Sequence, residues 1–226
     1  MLFLEQNIKG ICERNGLDYA DFLDELDVDH PNDLSIYDLE AISEEYEIDV
    51  SALLFHHTFP SLEVRSKLKN IKLLILDVDG VMTDGGLYFT DEGDHIKKFN
   101  AKDGMAIAQL TKRNFQIGII SSGFSGTAVS RRAELLGIQH CSVNKESKLT
   151  RLQEICASLD INYDQVAMIG DDINDLEIFE VCGFAACPSD AVQVVKNNVD
   201  LVLSSKGGHG AIREFVDEYL LEKRLK

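Results

Sequence analysis

Leu73-Leu74-Ile75-Leu76-Asp77-Val78-Asp79-Gly80-Val81-Met82-Thr83-Asp84-Gly85 is the stretch on which the reading of this chain turns. An apolar run reads as a buried strand, and it stops abruptly at two carboxylates one residue apart, followed by glycine. A buried strand has no structural need for acids at its end. A side-chain period of two sends Asp77 and Asp79 to the same side, and Gly80 lets the backbone turn closely past a ligand.

Outward from this segment, short apolar runs recur at Gln116–Ser121, Gln139–Val143, Gln165–Ile169, Gly183–Cys187 and Leu201–Leu203. They lack strict polar alternation, which suits strands covered on both faces. Amphipathic stretches separate them, at Met105–Arg113, Ser125–Leu136, Lys148–Leu159 and Asp175–Val181, with turn or cap signals at Gly104, Gly123, Gly137 and Gly170. Repeated units of this kind predict an α/β fold, a Rossmann-like parallel sheet with helices on both faces, whose ligands bind at the carboxyl ends of the strands.

Three further strand ends carry chemistry. Met168-Ile169-Gly170-Asp171-Asp172-Ile173-Asn174-Asp175 is a second acidic site, with Asp171 and Asp175 four apart on one face of an opening helix. Acids in a first helical turn also complement the helix dipole, which accounts for one of the three. Carboxylates gathered from two strand ends repel unless a divalent cation lies among them, and hard oxygen donors favour magnesium over zinc. Ile119-Ile120-Ser121-Ser122-Gly123 offers hydroxyls and backbone amides to phosphoryl oxygens. Lys148, opening a helix, can neutralise both phosphate and nucleophile.

These four segments, in this order, resemble motifs I to IV of the haloacid dehalogenase superfamily. The resemblance runs over nearly all of Ile71–Leu220 and is nearest to capless phosphatases of octulosonate 8-phosphate and nonulosonate 9-phosphate sugar acids. It rests on Asp77–Gly85, Phe99-Asn100-Ala101-Lys102-Asp103-Gly104, Arg132–Ile138, Gly170-Asp171-Asp172 and Gly207-Gly208-His209-Gly210-Ala211-Ile212-Arg213-Glu214. By position it implies Asp77 as nucleophile, Asp79 as acid/base, and Ser122 and Lys148 as phosphate ligands. It places magnesium on Asp77, Asp171 and the Asp79 carbonyl, with Asp172 and Asp175 supporting; Asp175 orients either a metal-bound water or Lys148. Gly80, Gly123, Lys102 and Arg213 are expected at the substrate. One departure bears on the substrate: octulosonate-type relatives carry Thr-Gly-Arg after the second strand, where this chain has Ser122-Gly123-Phe124, and phenylalanine cannot imitate a guanidinium fork.

Spacing leaves no room for a cap domain, with 43 positions from Asp79 to Ser122 and 26 from Ser122 to Lys148. An open site implies closure by a neighbouring subunit, and the capless relatives are tetramers. The expected covers are a hairpin flap, Gly86–Gly93, and the tail Lys206–Arg213, whose glycines read as too flexible for a core element and whose Arg213 is expected to reach an adjacent subunit's substrate.

Of the formal charge of −17, Met1–Pro60 holds −13, from 15 acidic and 2 basic residues. That step divides the chain into an acidic helical appendage over 1–60 and a catalytic domain over 67–226, with Thr58–Ser66 as linker. Short helices are expected at Leu4–Asn15, Tyr19–Leu26, Ile36–Tyr46 and Val50–His56, faintly like a helix-turn-helix domain without a basic recognition helix. So acidic a chain is a poor partner for nucleic acid or anionic membrane. The five cysteines are odd in number and form no CxxC pair, which fits a reducing compartment, and the acidic start lacks a signal-peptide pattern, so a cytoplasmic enzyme is expected. Two rivals to the phosphatase are a non-catalytic oligomerisation module, of the kind associated with sugar-acid cytidylyltransferases, and a DNA-binding regulator.

Overall fold

A computed structural model describes residues 2–55, 59, 62–89, 91, 95–123 and 126–221. The chain divides into two compact units, Met1–Arg65 and Ser66–Lys226.

The first unit is all helical, with α1 (Leu2–Asn15), α2 (Tyr19–Glu25), α3 (Ile36–Glu45) and α4 (Val50–Phe55). Asp18 caps α2 by accepting from the amides of Ala20 and Asp21. Ser35 and Asp38 close a reciprocal capping box on α3, satisfying amides that a helix start leaves free. The apolar faces meet in one core that includes Leu4, Ile8, Ile11, Phe22, Ile42, Leu53 and Phe59. Buried Asn7 ties the unit together, donating to the carbonyls of Ala52 and Leu53 at 3.2 and 2.9 Å and accepting from the Phe59 amide at 3.2 Å. A short helix, α5 (Leu62–Leu68), occupies part of the stretch expected to be linker.

In the second unit the chain runs β1 (Leu73–Leu76), β2 (Tyr88–Phe89), β3 (His95–Ile96), α6 (Ala101–Thr111), β4 (Gln116–Ser121), α7 (Gly126–Leu136), β5 (His140–Val143) and α8 (Lys148–Leu159). It continues through β6 (Val166–Ile169), α9 (Leu176–Phe179), β7 (Phe184–Cys187), α10 (Gln193–Lys196), β8 (Leu201–Val202) and α11 (Ala211–Glu214), which widens over Phe215–Leu221. Six strands form one parallel sheet in the order β5-β4-β1-β6-β7-β8. Leu73 and Ile75 of β1, Val166 and Met168 of β6, and Leu152, Ile178 and Val195 from α8, α9 and α10 share a core on one face. On the other side α6 packs on α7, α11 and β4. The expected α/β sheet with helices on both faces is therefore the fold observed.

Chain order places the site. The chain leaves β1 to build β4 and β5 on one side, then crosses back to build β6, β7 and β8 on the other. Beside β1 the connections diverge, which opens a crevice at the carboxyl ends of β1, β4 and β6, as expected for open α/β sheets. The flap is a two-stranded hairpin in which Tyr88 faces Ile96; between its strands only Asp91 is among the described residues. No helix among the described residues is long and apolar enough to cross a membrane.

Two expectations change. The stretch read as a flexible glycine tail is packed: Gly207 and Gly208 are buried, and the Gly208 amide donates to the Val81 carbonyl at 2.9 Å. A β-carbon on Gly207 would lie 1.7 Å from the Gly80 carbonyl oxygen, so glycine here serves close approach of two backbones rather than mobility. Helix α6 starts at Ala101, earlier than apolar periodicity indicated, because the Asn100 side chain accepts from the amides of Lys102 and Asp103 and caps it.

Candidate active site

At the end of β1 the Asp77 amide donates to the Ile169 carbonyl at 3.0 Å, which joins the tips of β1 and β6. Asp77 is 5% exposed; its Oδ1 accepts from the Val78 amide at 2.7 Å, and Oδ2 lies 2.9 Å from Lys148 Nζ. Lys148, the first residue of α8, is held equally by Asp175 Oδ1 at 2.6 Å. The second Asp175 oxygen accepts from the amides of Asp171 and Asp172 at 3.0 and 3.3 Å, so both oxygens of this fully buried carboxylate are engaged.

Asp171 differs. Oxygens of Asp77, Asp171 and Asp175 lie within 4.8 Å of one another, yet Asp171 Oδ1 is buried without a hydrogen-bond partner. Gly80, at φ +87, allows this packing, since a β-carbon there would fall 2.0 Å from Asp171 Oδ2. Burial, with the charges of Asp77, Asp175 and Asp172, pushes the Asp171 carboxyl up to about 8. Burial and Asp175 push Asp77 to about 6 against the pull of Lys148. Burial opposes the charge on Lys148, but Asp77 and Asp175 outweigh it and raise its ammonium above its ordinary value.

An orphaned, buried carboxylate oxygen beside two other carboxylates suits a bound cation, and the donor set, all hard oxygens, fits magnesium. Asp77 and Asp171 carry fewer bonds than Asp175, which accepts from Lys148 and two amides, and so have more lone pairs to give it. Of the two parts open to Asp175, the geometry shows the contact with Lys148.

Asp77 and Asp171 line a cavity of about 580 Å³ together with Asp79, Gly85, Leu87, Lys97, Ser121, Ser122, Gly123, Asp172 and Asn174, with Asp175 and Lys148 outside that lining. Ser122 thus joins the aspartates, whereas the Gly123 amide is taken by Ser121 Oγ at 3.2 Å. Asp172 caps the turn Ile173–Asp175 through the Ile173 amide at 2.7 Å and lies at the cavity wall. Lys102 and Arg213 stand outside the cavity of their own chain. Lys102 is solvent-exposed on the first turn of α6, and Arg213 pairs with Asp217 at 2.5 Å, one turn along.

Two cations escaped the sequence reading. Lys97, just after β3, pairs with Asp79 inside the cavity, its side chain 5% exposed. Arg151 on α8 is fully buried and donates to the carbonyls of Ser121 and Ser142 at 2.9 and 3.2 Å, which pins the ends of β4 and β5. Lys97 sits in the charged run His95-Ile96-Lys97-Lys98, where only hairpin register reveals which side chain turns inward. Arg151 follows Lys148 by three residues on α8, a helical spacing that was available as a signal.

A parallel α/β sheet with a buried aspartate, its lysine and a metal-seeking carboxylate at adjacent strand tips defines a class: hydrolases built around a strand-end aspartate. Residues 137–215 match the family model of haloacid dehalogenase-like hydrolases. The 3-deoxy-D-manno-octulosonate 8-phosphate phosphatase KdsC of Haemophilus influenzae is 40% identical over 157 residues, covering 70% of this chain and 87% of that protein. KdsC of Salmonella typhi is 37% identical over 71% of this chain and 85% of its own length. Among solved structures, the Yersinia pestis phosphatase of the same substrate superposes with a TM-score of 0.70 at 35% identity, covering 74% of this chain and 90% of that one. The Moraxella catarrhalis phosphatase, solved in complex with magnesium ion, phosphate ion and a KDO molecule, gives 0.67 at 33% identity, covering 70% and 91%. The chain belongs to the haloacid dehalogenase superfamily and is a phosphatase of it, related to the KDO 8-phosphate phosphatases.

Proposed function

We propose that the protein is a magnesium-dependent phosphomonoester hydrolase that works through an aspartyl phosphate on Asp77, with a phosphorylated sugar acid, an octulosonate or nonulosonate phosphate, as substrate. The observation that carries this reading is the shared Lys148 between Asp77 and Asp175, beside the orphaned Asp171 oxygen. A divalent cation held by Asp77, Asp171 and the Asp79 carbonyl would supply charge neutralisation between carboxylate and phosphate.

The chain's own residues do the rest. Val78 and Lys148 fix the Asp77 carboxylate at the cavity floor, oriented for in-line attack on phosphorus, and the ammonium offsets the charge that gathers there. Ser122 on the β4 tip meets the phosphoryl oxygens. Asp79, two residues on and beside the flap, passes a proton to the leaving alkoxide and then takes one from the water that hydrolyses the acyl phosphate. Asp175 holds Lys148 charged and in place. The sugar-acid substrate rests on the relatives, with Phe124 as the departure that leaves the choice among sugar acids to experiment.

The flap favours a covered site: Leu87, Tyr88 and Ile96 are more than half exposed, and Leu87 also lines the cavity. A neighbouring subunit of a homotetramer closing the mouth would bury them. Light scattering tests this, and a monomeric active enzyme would overturn it. For the chemistry, release of phosphate from 4-nitrophenyl phosphate should require magnesium, vanish with EDTA and fall by at least ~10³-fold in Asp77→Asn. Equal rates for both proteins would leave only a non-catalytic assembly module.

A further inference from the structure

Lys97 holds the acid/base Asp79 and has donors beyond the one that contact uses. The residues around it alternate: Ile96 is 61% exposed, the Lys97 side chain 5%, and the Lys98 side chain 60%, paired outward with Asp84 at 2.7 Å. Only Lys97 turns into the cavity, where its ammonium meets Asp79. The other charged residues of the lining are all anionic, Asp77, Asp79, Asp171 and Asp172, and among the described residues Lys97 is the one cation in that lining. Lys148 lies beneath, engaged by two carboxylates. The cavity, about 580 Å³, has the size of a small-molecule pocket and holds far more than a phosphoryl group. Any second negative charge on the substrate would be repelled along this wall except beside Lys97.

We infer that Lys97 is the specificity residue of the site, the receptor for a second anionic group on the substrate, a carboxylate carried on the carbon chain away from the phosphate. An ammonium has three donors, so Lys97 can keep Asp79 on one and take the carboxylate on another. Its place on the flap sets the carboxylate at the mouth, across the cavity from the β6 acids, and selects phosphorylated acids over phosphorylated alcohols of equal size. Discrimination by one charge-assisted hydrogen bond of this kind is worth ~10- to 100-fold.

This inference rests on the phosphatase reading above, and a matched pair of probes separates the two. 6-Phosphogluconate and sorbitol 6-phosphate differ by a carboxylate in place of a hydroxymethyl group. Wild type should prefer the acid in kcat/KM by about tenfold or more, and Lys97→Met should bring the ratio close to one, while Lys97→Arg keeps most of it. The ratio is taken within one preparation, so a partly folded variant does not disturb it. A wild type without preference for the acid, or a ratio unchanged in Lys97→Met, overturns the role of Lys97 and leaves the phosphatase standing. Absence of magnesium-dependent hydrolysis of both esters and of 4-nitrophenyl phosphate overturns the phosphatase reading itself.

Discussion

Replacing Asp171 with Asn should make the metal-free protein more stable and its metal-loaded form less so. The carboxyl of Asp171 rises from about 3.8 to about 8 on folding. A carboxyl raised in the folded state costs nothing below its unfolded value, opposes the fold increasingly as pH climbs between the two values, and reaches its full cost above about 8. At ~1.36 kcal/mol per unit the ceiling is about 5–6 kcal/mol. Water reaching this partly exposed group lowers it, and we take about 2 kcal/mol at pH 8. An Asn has no charge to bury, so in EDTA at pH 8 the variant should melt about 4–8 °C above wild type, a unit of this size shifting ~2–4 °C per kcal/mol. At pH 5 only about a quarter of the difference should remain, since little of the titration window has been crossed. Magnesium at ~100 times its Kd should lift wild type by about 2.7 kcal/mol and the variant by much less, which reverses the order. Thermal unfolding at both pH values, with EDTA and with magnesium, reads all four states. An Asp171→Asn protein that melts below wild type in EDTA at pH 8, or gains as much from magnesium, would refute the reasoning.

Arg151→Met keeps an apolar stem but strips the donors from the Ser121 and Ser142 carbonyls, so it should cost ~2–4 kcal/mol in chemical denaturation and raise KM for 4-nitrophenyl phosphate several-fold, with partial rescue by Arg151→Lys. A wild-type KM would show that the β4 tip does not need this clamp. Gly207→Ala should displace the Gly80 turn, because its added methyl meets the Gly80 carbonyl; kcat should fall about tenfold or more at a stability cost of ~1–3 kcal/mol. Unchanged kcat would mean that the tail and the nucleophile loop are uncoupled.

The sheet and the aspartates were legible because their signals conflict with everything else around them. Acids at the end of Leu73–Leu76 and of Val166–Ile169 have no place in a buried strand unless the strand ends there and the acids act. The glycines of the tail were misread for a physical reason: glycine content reports either freedom or close approach, and the partner that decides between them, Gly80, lies far away in sequence. Lys97 was hidden by a neighbouring lysine of the opposite orientation. Arg151 was hidden because an arginine on an amphipathic helix ordinarily faces water, and only the strand tips beneath α8 turn it inward. Helix α5 fell in a stretch read as linker because Leu62–Leu68 is too short to show periodicity.

The three clustered carboxylates divide their labour through hydrogen bonding rather than position. Asp175 accepts from two amides and from Lys148, so its charge is fully spoken for, and what it contributes is a cation held against Asp77. Asp77 accepts one bond on each oxygen and keeps a lone pair on both, as a nucleophile must. Asp171 has a buried oxygen with no bond at all. In a protein optimised for stability alone that oxygen would have found an amide or been replaced by an apolar side chain. It lies beside Gly80, whose positive φ lets it come close, so the deficit falls within the acidic group proposed to hold the cation, and the Asp171→Asn comparison with and without magnesium tests whether the fold draws on that ion as pH rises.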